Sequence, residues 1–123
     1  MPVFTRCQDG VLVLTVDGDF TPNELRRVAF GAFESSETPR EVPVLLDMSG
    51  AAGIAGKSAQ EMQAMGAIFG AYRDRLRGLS VVVSVEVEER FAENEVFARE
   101  AGVSMRAWHS HADARQWLKE RLT

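Results

Sequence analysis

The sequence predicts an α/β fold in which a mixed five-stranded sheet is flanked by about four helices in the order ββαβαβαβα, and three observations carry that prediction. Val44-Leu45-Leu46 is apolar at every position, as in a strand covered on both faces of a parallel sheet. Thr21-Pro22-Asn23-Glu24 and Ser58-Ala59-Gln60-Glu61 each place a glutamate three positions after a hydroxyl residue, the spelling of a capped helix start. Asp9-Gly10 separates two β-prone runs, and that dipeptide tolerates the positive φ angles of a two-residue hairpin turn.

Taken in order, Phe4 to Gln8 and Val11 to Val16 form the opening hairpin. The second strand is too continuously apolar for a rim position, so it belongs inside the sheet with the first strand outside it. Asp17-Gly18-Asp19 then reads as a turn; the spaced oxygen ligands of a calcium loop are missing. A helix begins at Pro22, with Leu25, Val28, Ala29, Ala32 and Phe33 on its inner face. The crossover places Val42 to Asp47 parallel to Val11 to Val16. The longest helix opens at Ser58, carries Met62, Met65, Phe69, Tyr72 and Leu76, and extends to about Arg77. Leu79 to Ser84 is the next strand. An acidic stretch with Glu86, Glu88 and Glu89 leads into a helix marked by Phe91, Val96, Phe97 and Ala101 and closed by Gly102. Val103 to Trp108 is the last strand, and Ser110 to Asp113 caps a final helix carrying Ala114, Trp117, Leu118 and Leu122.

A chain of 123 residues with 46% apolar content can bury one core without metal or disulfide, so 1–123 is expected to be one domain. The 18 acidic residues outnumber the 14 basic ones, a field that repels nucleic acid and anionic lipid. Cys7 is the only cysteine, which leaves no intrachain disulfide. No apolar run approaches the roughly 20 residues of a membrane span, and the N-terminus lacks a charged-then-apolar pattern. The expected location is the cytoplasm.

Ligands and partners of open α/β sheets collect at the carboxyl ends of the strands. Here that edge is Asp47, Ser49, Gly50, Gly53, Gly56, Lys57 and Ser58, the candidate partner- or ligand-binding residues. Ala51-Ala52-Gly53-Ile54-Ala55-Gly56-Lys57-Ser58 also fits a relaxed P-loop spelling, in which Lys57 would reach phosphates and Ser58 would bind magnesium. The metal-holding aspartate of such a site is missing, since Glu86 is a poor substitute. Nucleotide binding is therefore the remote alternative, and Lys57 is expected to be exposed, with Lys57→Ala within about 0.5 kcal/mol of wild type. His109, His111 and Asp113 are too few for a zinc site, and capping explains Ser110 and Asp113. No sequence pattern brings a histidine to Ser49 or Ser58, so no nucleophile and base are paired. No metal, cofactor or catalytic residue is expected. The phenylalanines 30, 33, 69, 91 and 97 with Tyr72 read as core, the alternative being an apolar pocket between helices and sheet.

The element order, Val44-Leu45-Leu46-Asp47-Met48-Ser49-Gly50, and the ending from Val103 to Leu118 resemble the STAS fold of anti-sigma-factor antagonists, in its SpoIIAA-like branch, sometimes grouped with Sec14-type lipid-binding domains. The resemblance covers nearly the whole chain. It implies a non-enzymatic regulatory module whose partner is a protein, either a regulator or a second copy of this chain. The Sec14-type kinship implies the alternative of a small apolar, lipid-like ligand. In signalling members a serine or threonine at this loop is phosphorylated. Counting on from Asp47, that group falls on Ala55-Gly56-Lys57-Ser58, so Ser58 matches only if the loop carries one extra residue. Ser58 is the candidate phosphorylation site, although its role as a helix cap is sufficient to account for it.

Overall fold

The structure is a computed structural model that describes residues 3–54, 56–82, 88–100 and 102–122. Along the chain run β1 (Val3–Gln8), β2 (Val11–Asp19), α1 (Pro22–Glu34), β3 (Val42–Ala52), α2 (Ala59–Gly70), β4 (Leu76–Val82), α3 (Glu88–Glu100), β5 (Met105–Trp108) and α4 (His111–Leu122). The strands lie side by side in sequence order. β1 pairs antiparallel with β2, and every later neighbour is parallel. The mixed five-stranded sheet with four helices is therefore the one the sequence predicts.

Asp9 and Gly10 adopt φ of 54° and 80°, the left-handed pair that a two-residue hairpin turn requires. Both predicted capping boxes form: Thr21 accepts from the Glu24 amide and Ser58 from the Glu61 amide, and each glutamate returns a bond to its cap. Strand β3 is central, and Val44, Leu45 and Leu46 are almost wholly buried. Pro43 sits where the β3–β4 register shifts, a place where a missing N–H breaks no regular ladder.

Two apolar layers form. Leu12, Leu14, Val44 and Leu46 pack with Leu25, Phe33, Met62, Phe69 and Phe91 from α1, α2 and α3. On the opposite face Val11, Val13, Leu45 and Val82 meet Ala114 and Leu118 of α4, with Trp108 and Trp117 beside them. Helix α4 alone covers that face among the described elements.

Several predicted boundaries move. Asp17-Gly18-Asp19 is not a turn: β2 runs through it and pairs with Gly50, Ala51 and Ala52, so β3 also continues past Ser49. A register irregularity between Thr15 and Asp17 and a φ of 79° at Gly18 absorb the change of pattern without ending the strand. Helix α2 stops at Gly70 instead of reaching Arg77. Short-range bonds from Tyr72 to Phe69 and from Arg75 to Tyr72 form a turn, and Leu76 already pairs with Val42. The Arg75 guanidinium explains why the chain leaves the helix here: it donates to the carbonyls of Phe33, Arg40 and Pro39, clamping the end of α1 and the following loop. In α3 the inner face carries Phe91 and Ala98, while Val96 is 47% exposed; five residues beyond Phe91 lies well round the helix. Gly102 closes α3 as predicted, with φ of 85° and amide bonds from Gly102 to Arg99 and from Val103 to Ala98. Glu86, the Ser84 end of the expected strand, Ala55 and Ala101 lie outside the described residues.

Candidate functional site

The carboxyl ends of β2 and β3 and the start of α2 form the edge that holds all the candidate residues. Asp47 is half-buried, while Ser49, Gly50, Gly53, Gly56 and Ser58 are exposed. The glycines have different reasons for being there. A Cβ on Gly50 would come within 3.2 Å of the Asp17 carboxylate, and one on Gly53, already at φ of 77°, within 3.0 Å of Asp19. Gly56 has only ordinary clearance, its nearest foreign atom being 3.8 Å away. Gly50 and Gly53 thus let the two aspartates of β2 lie against the returning chain, whereas Gly56 accepts a side chain.

Lys57 departs from the expectation of an exposed side chain. It is partly buried, and its ammonium donates to the Phe20 carbonyl at 2.8 Å while lying 4.4 Å above the Phe20 ring centroid. Phe20 is itself buried, so this lysine ties the loop before α2 to the end of β2. The relaxed P-loop spelling also loses its geometry. Ala51 and Ala52, which would begin the phosphate cradle, are strand residues paired with Gly18 and Asp19, and a cradle needs free loop amides.

Asp47 gathers partners from two directions. Its Oδ1 accepts the Ser49 amide at 3.0 Å and the Ser49 hydroxyl at 2.6 Å, and its Oδ2 lies 2.8 Å from Nε2 of His111, the first residue of α4. Burial pushes the Asp47 carboxyl up, but the Ser49 hydroxyl, the Ser49 amide and His111 together hold it below the ordinary carboxylate value. The absence of a histidine near Ser49 in the sequence pattern is thereby corrected. Every β-to-α connection of a parallel sheet opens at the same edge, so the start of α4 and the end of β3 share it, and that topology was the available signal. The order here is hydroxyl, carboxylate, imidazole. Acyl transfer places the imidazole in the middle, so this trio acts as a tether between β3 and α4. His109 and Asp113 take no part in it. The Asp113 amide donates to the Ser110 hydroxyl at 3.3 Å, the predicted cap. No group of three metal-ligating side chains occurs among the described residues.

Five of the six aromatic residues expected in the core belong to it, while Phe97 on α3 is only half-buried. Phe33, Phe69 and Phe91 are fully buried, and Phe30 and Tyr72 pack at the margin of the same cluster. Tyr72 stacks on Phe33 at 4.6 Å and donates to Glu34 at 3.0 Å. No helix among the described residues is long and apolar enough to cross a membrane.

No family model matches the sequence, and no curated protein matches it. Solved structures share the fold, among them the following two. A protein of the DUF3478 family with a SpoIIAA-like fold from Shewanella loihica superposes with a TM-score of 0.62 at 17% identity, covering 94% of this chain and 91% of that one. An anti-sigma factor antagonist from Mycobacterium paratuberculosis gives 0.63 at 19% identity, covering 95% and 92%. The chain therefore has the SpoIIAA-like α/β fold, over nearly its whole length.

Proposed function

We propose that this protein is a non-enzymatic regulatory module of STAS type, which binds a protein partner through the edge of Asp47, Ser49, Gly50, Gly53, Gly56, Lys57 and Ser58. The observation that carries this reading is an exposed edge on a fixed frame. Ser49, Gly56 and Ser58 face solvent, while Lys57 on Phe20, the Ser58–Glu61 capping box and the Asp47–His111 contact hold the backbone beneath them. Such a surface needs little ordering when a partner docks. The fold likeness to an anti-sigma factor antagonist supports the class of partner, a protein of a regulatory circuit. Ser58 is our candidate for modification: its hydroxyl caps α2 by accepting from the Glu61 amide, it is exposed, and a phosphate dianion there would meet the positive end of the helix.

Gly56→Arg tests the surface without straining the fold, because that position has room. Native mass spectrometry of the protein, purified without detergent from its host, should show a complex with a discrete protein that Gly56→Arg abolishes. A lipid-sized adduct retained by both proteins would instead support an apolar-ligand carrier. Phosphopeptide mapping that finds Ser58 unmodified in every growth condition would remove the phosphorylation element.

A further inference from the structure

The two edges of the sheet are built differently. At the β5 edge the strand has only four residues, and the Ala107 amide is occupied by Glu95 of α3 at 2.8 Å, a side chain that blocks an incoming strand. At the β1 edge no such side-chain bond to an outward amide occurs among the described residues; the loop after α1 approaches the strand through the Thr38 hydroxyl, 4.0 Å from the Cys7 thiol. Strand β1 has six residues without proline, lysine or bulge, and Phe4 to Gln8 are exposed. Phe4 is 55% exposed, the most open large apolar residue described. It borders an open groove with Arg6, Val13, Thr15 and Asp47, on the part of that face beside α4. The two-residue turn makes Gln8 and Val11 the closing hydrogen-bonded pair. Alternation along the ladder then directs the N–H and C=O groups of Phe4, Arg6 and Gln8 to β2 and those of Val3, Thr5 and Cys7 outwards.

We propose that β1 pairs antiparallel with β1 of a second copy of this chain, about a two-fold axis at Thr5, joining the two sheets into one. In that register Thr5 faces Thr5, Val3 faces Cys7, and Phe4 faces Arg6. The only charge on the strand, Arg6, thus meets an aromatic face instead of its own copy. Both exposed Phe4 rings become covered. A pairing of six-residue strands lies well below a standard interface of roughly 800 Å² per partner, so the dimer is reversible and concentration-dependent. This interface uses the β1 strand and meets the Asp47 end of the Asp47 to Ser58 edge only at the groove beside Phe4; it holds whether or not that edge binds a regulator.

Sedimentation equilibrium over a wide concentration series tests it. The wild type should pass from monomer to dimer, and amide exchange at Thr5 and Cys7 should slow as the dimer fills. Thr5→Pro removes an outward N–H that β2 does not use, so it should stay monomeric with an unchanged circular dichroism spectrum. Phe4→Arg, at an exposed position, sets arginine against Arg6 of the other copy and should weaken the dimer severalfold. Adding Arg6→Glu should restore it. A wild type monomeric at every concentration, or a dimer that survives both Thr5→Pro and Phe4→Arg, would overturn the proposal.

Discussion

Lys57 shows how one contact changes the forecast for a residue. A lysine at a helix start ordinarily reaches into water, and its removal then costs little. Here the ammonium is bonded to the Phe20 carbonyl and lies over the Phe20 ring. Lys57→Ala should lower stability by about 2 kcal/mol, the scale of a charged hydrogen bond with a cation–π contact. Urea denaturation checks this; a midpoint equal to wild type would show that the contact contributes nothing. Asp47 has a signature in pH. Its folded carboxyl lies below the ordinary value of 3.8, so the unfolded chain binds the proton more readily. Its contribution is therefore complete above that value and is lost as pH falls through the lower folded one. Unfolding free energies measured down an acid series should fall less steeply in Asp47→Asn than in wild type. Parallel curves would rule out Asp47 as a source of acid sensitivity.

Elements are punctuated by caps and clamps, and these differ in how legible they are. Ser58→Ala removes the Glu61 amide's partner and should cost about 1 kcal/mol, read from the thermal midpoint; an unchanged midpoint would mean that water replaces the cap. Arg75→Ala frees three carbonyls around the end of α1 and should cost about 2 kcal/mol, with Arg75→Lys restoring only part, since an ammonium cannot span the fork. Equal stability of the lysine variant and wild type would contradict the clamp. Both helix starts, the Asp9-Gly10 hairpin and the Gly102 stop were readable because each is set by residues a few positions apart. The end of α2 was not. Met62, Met65, Phe69, Tyr72 and Leu76 keep a helical period in sequence, yet Arg75 bonds to carbonyls some 35 to 42 positions away and stops the helix from a distance. The extension of β2 and β3 was hidden for a related reason. Asp17-Gly18-Asp19 has turn composition, and only its pairing with Gly50 to Ala52 keeps it extended.

At the level of the molecule, three helices lie on one face of the sheet and α4 on the other, and the polar edge stands where β3 ends and α2 and α4 begin. Asp47, Ser49 and the loop glycines were legible as an edge from strand polarity alone. His111 and Phe20 were missed because their contacts join residues 64 and 37 positions apart. The edge has one hydroxyl tethered to a carboxylate, a lysine already bonded and a capped helix. In that arrangement the Ser49 hydroxyl meets the Asp47 carboxylate, and His111 reaches the other carboxylate oxygen. The edge's proposed role as a partner surface is tested most directly by placing a photo-crosslinking amino acid at position 56, within the edge, and at position 74, in the exposed turn before β4, then irradiating living cells of the host. A discrete protein captured from position 56 and absent from position 74 is the predicted result. Equal capture from both positions, or none from position 56, would contradict it.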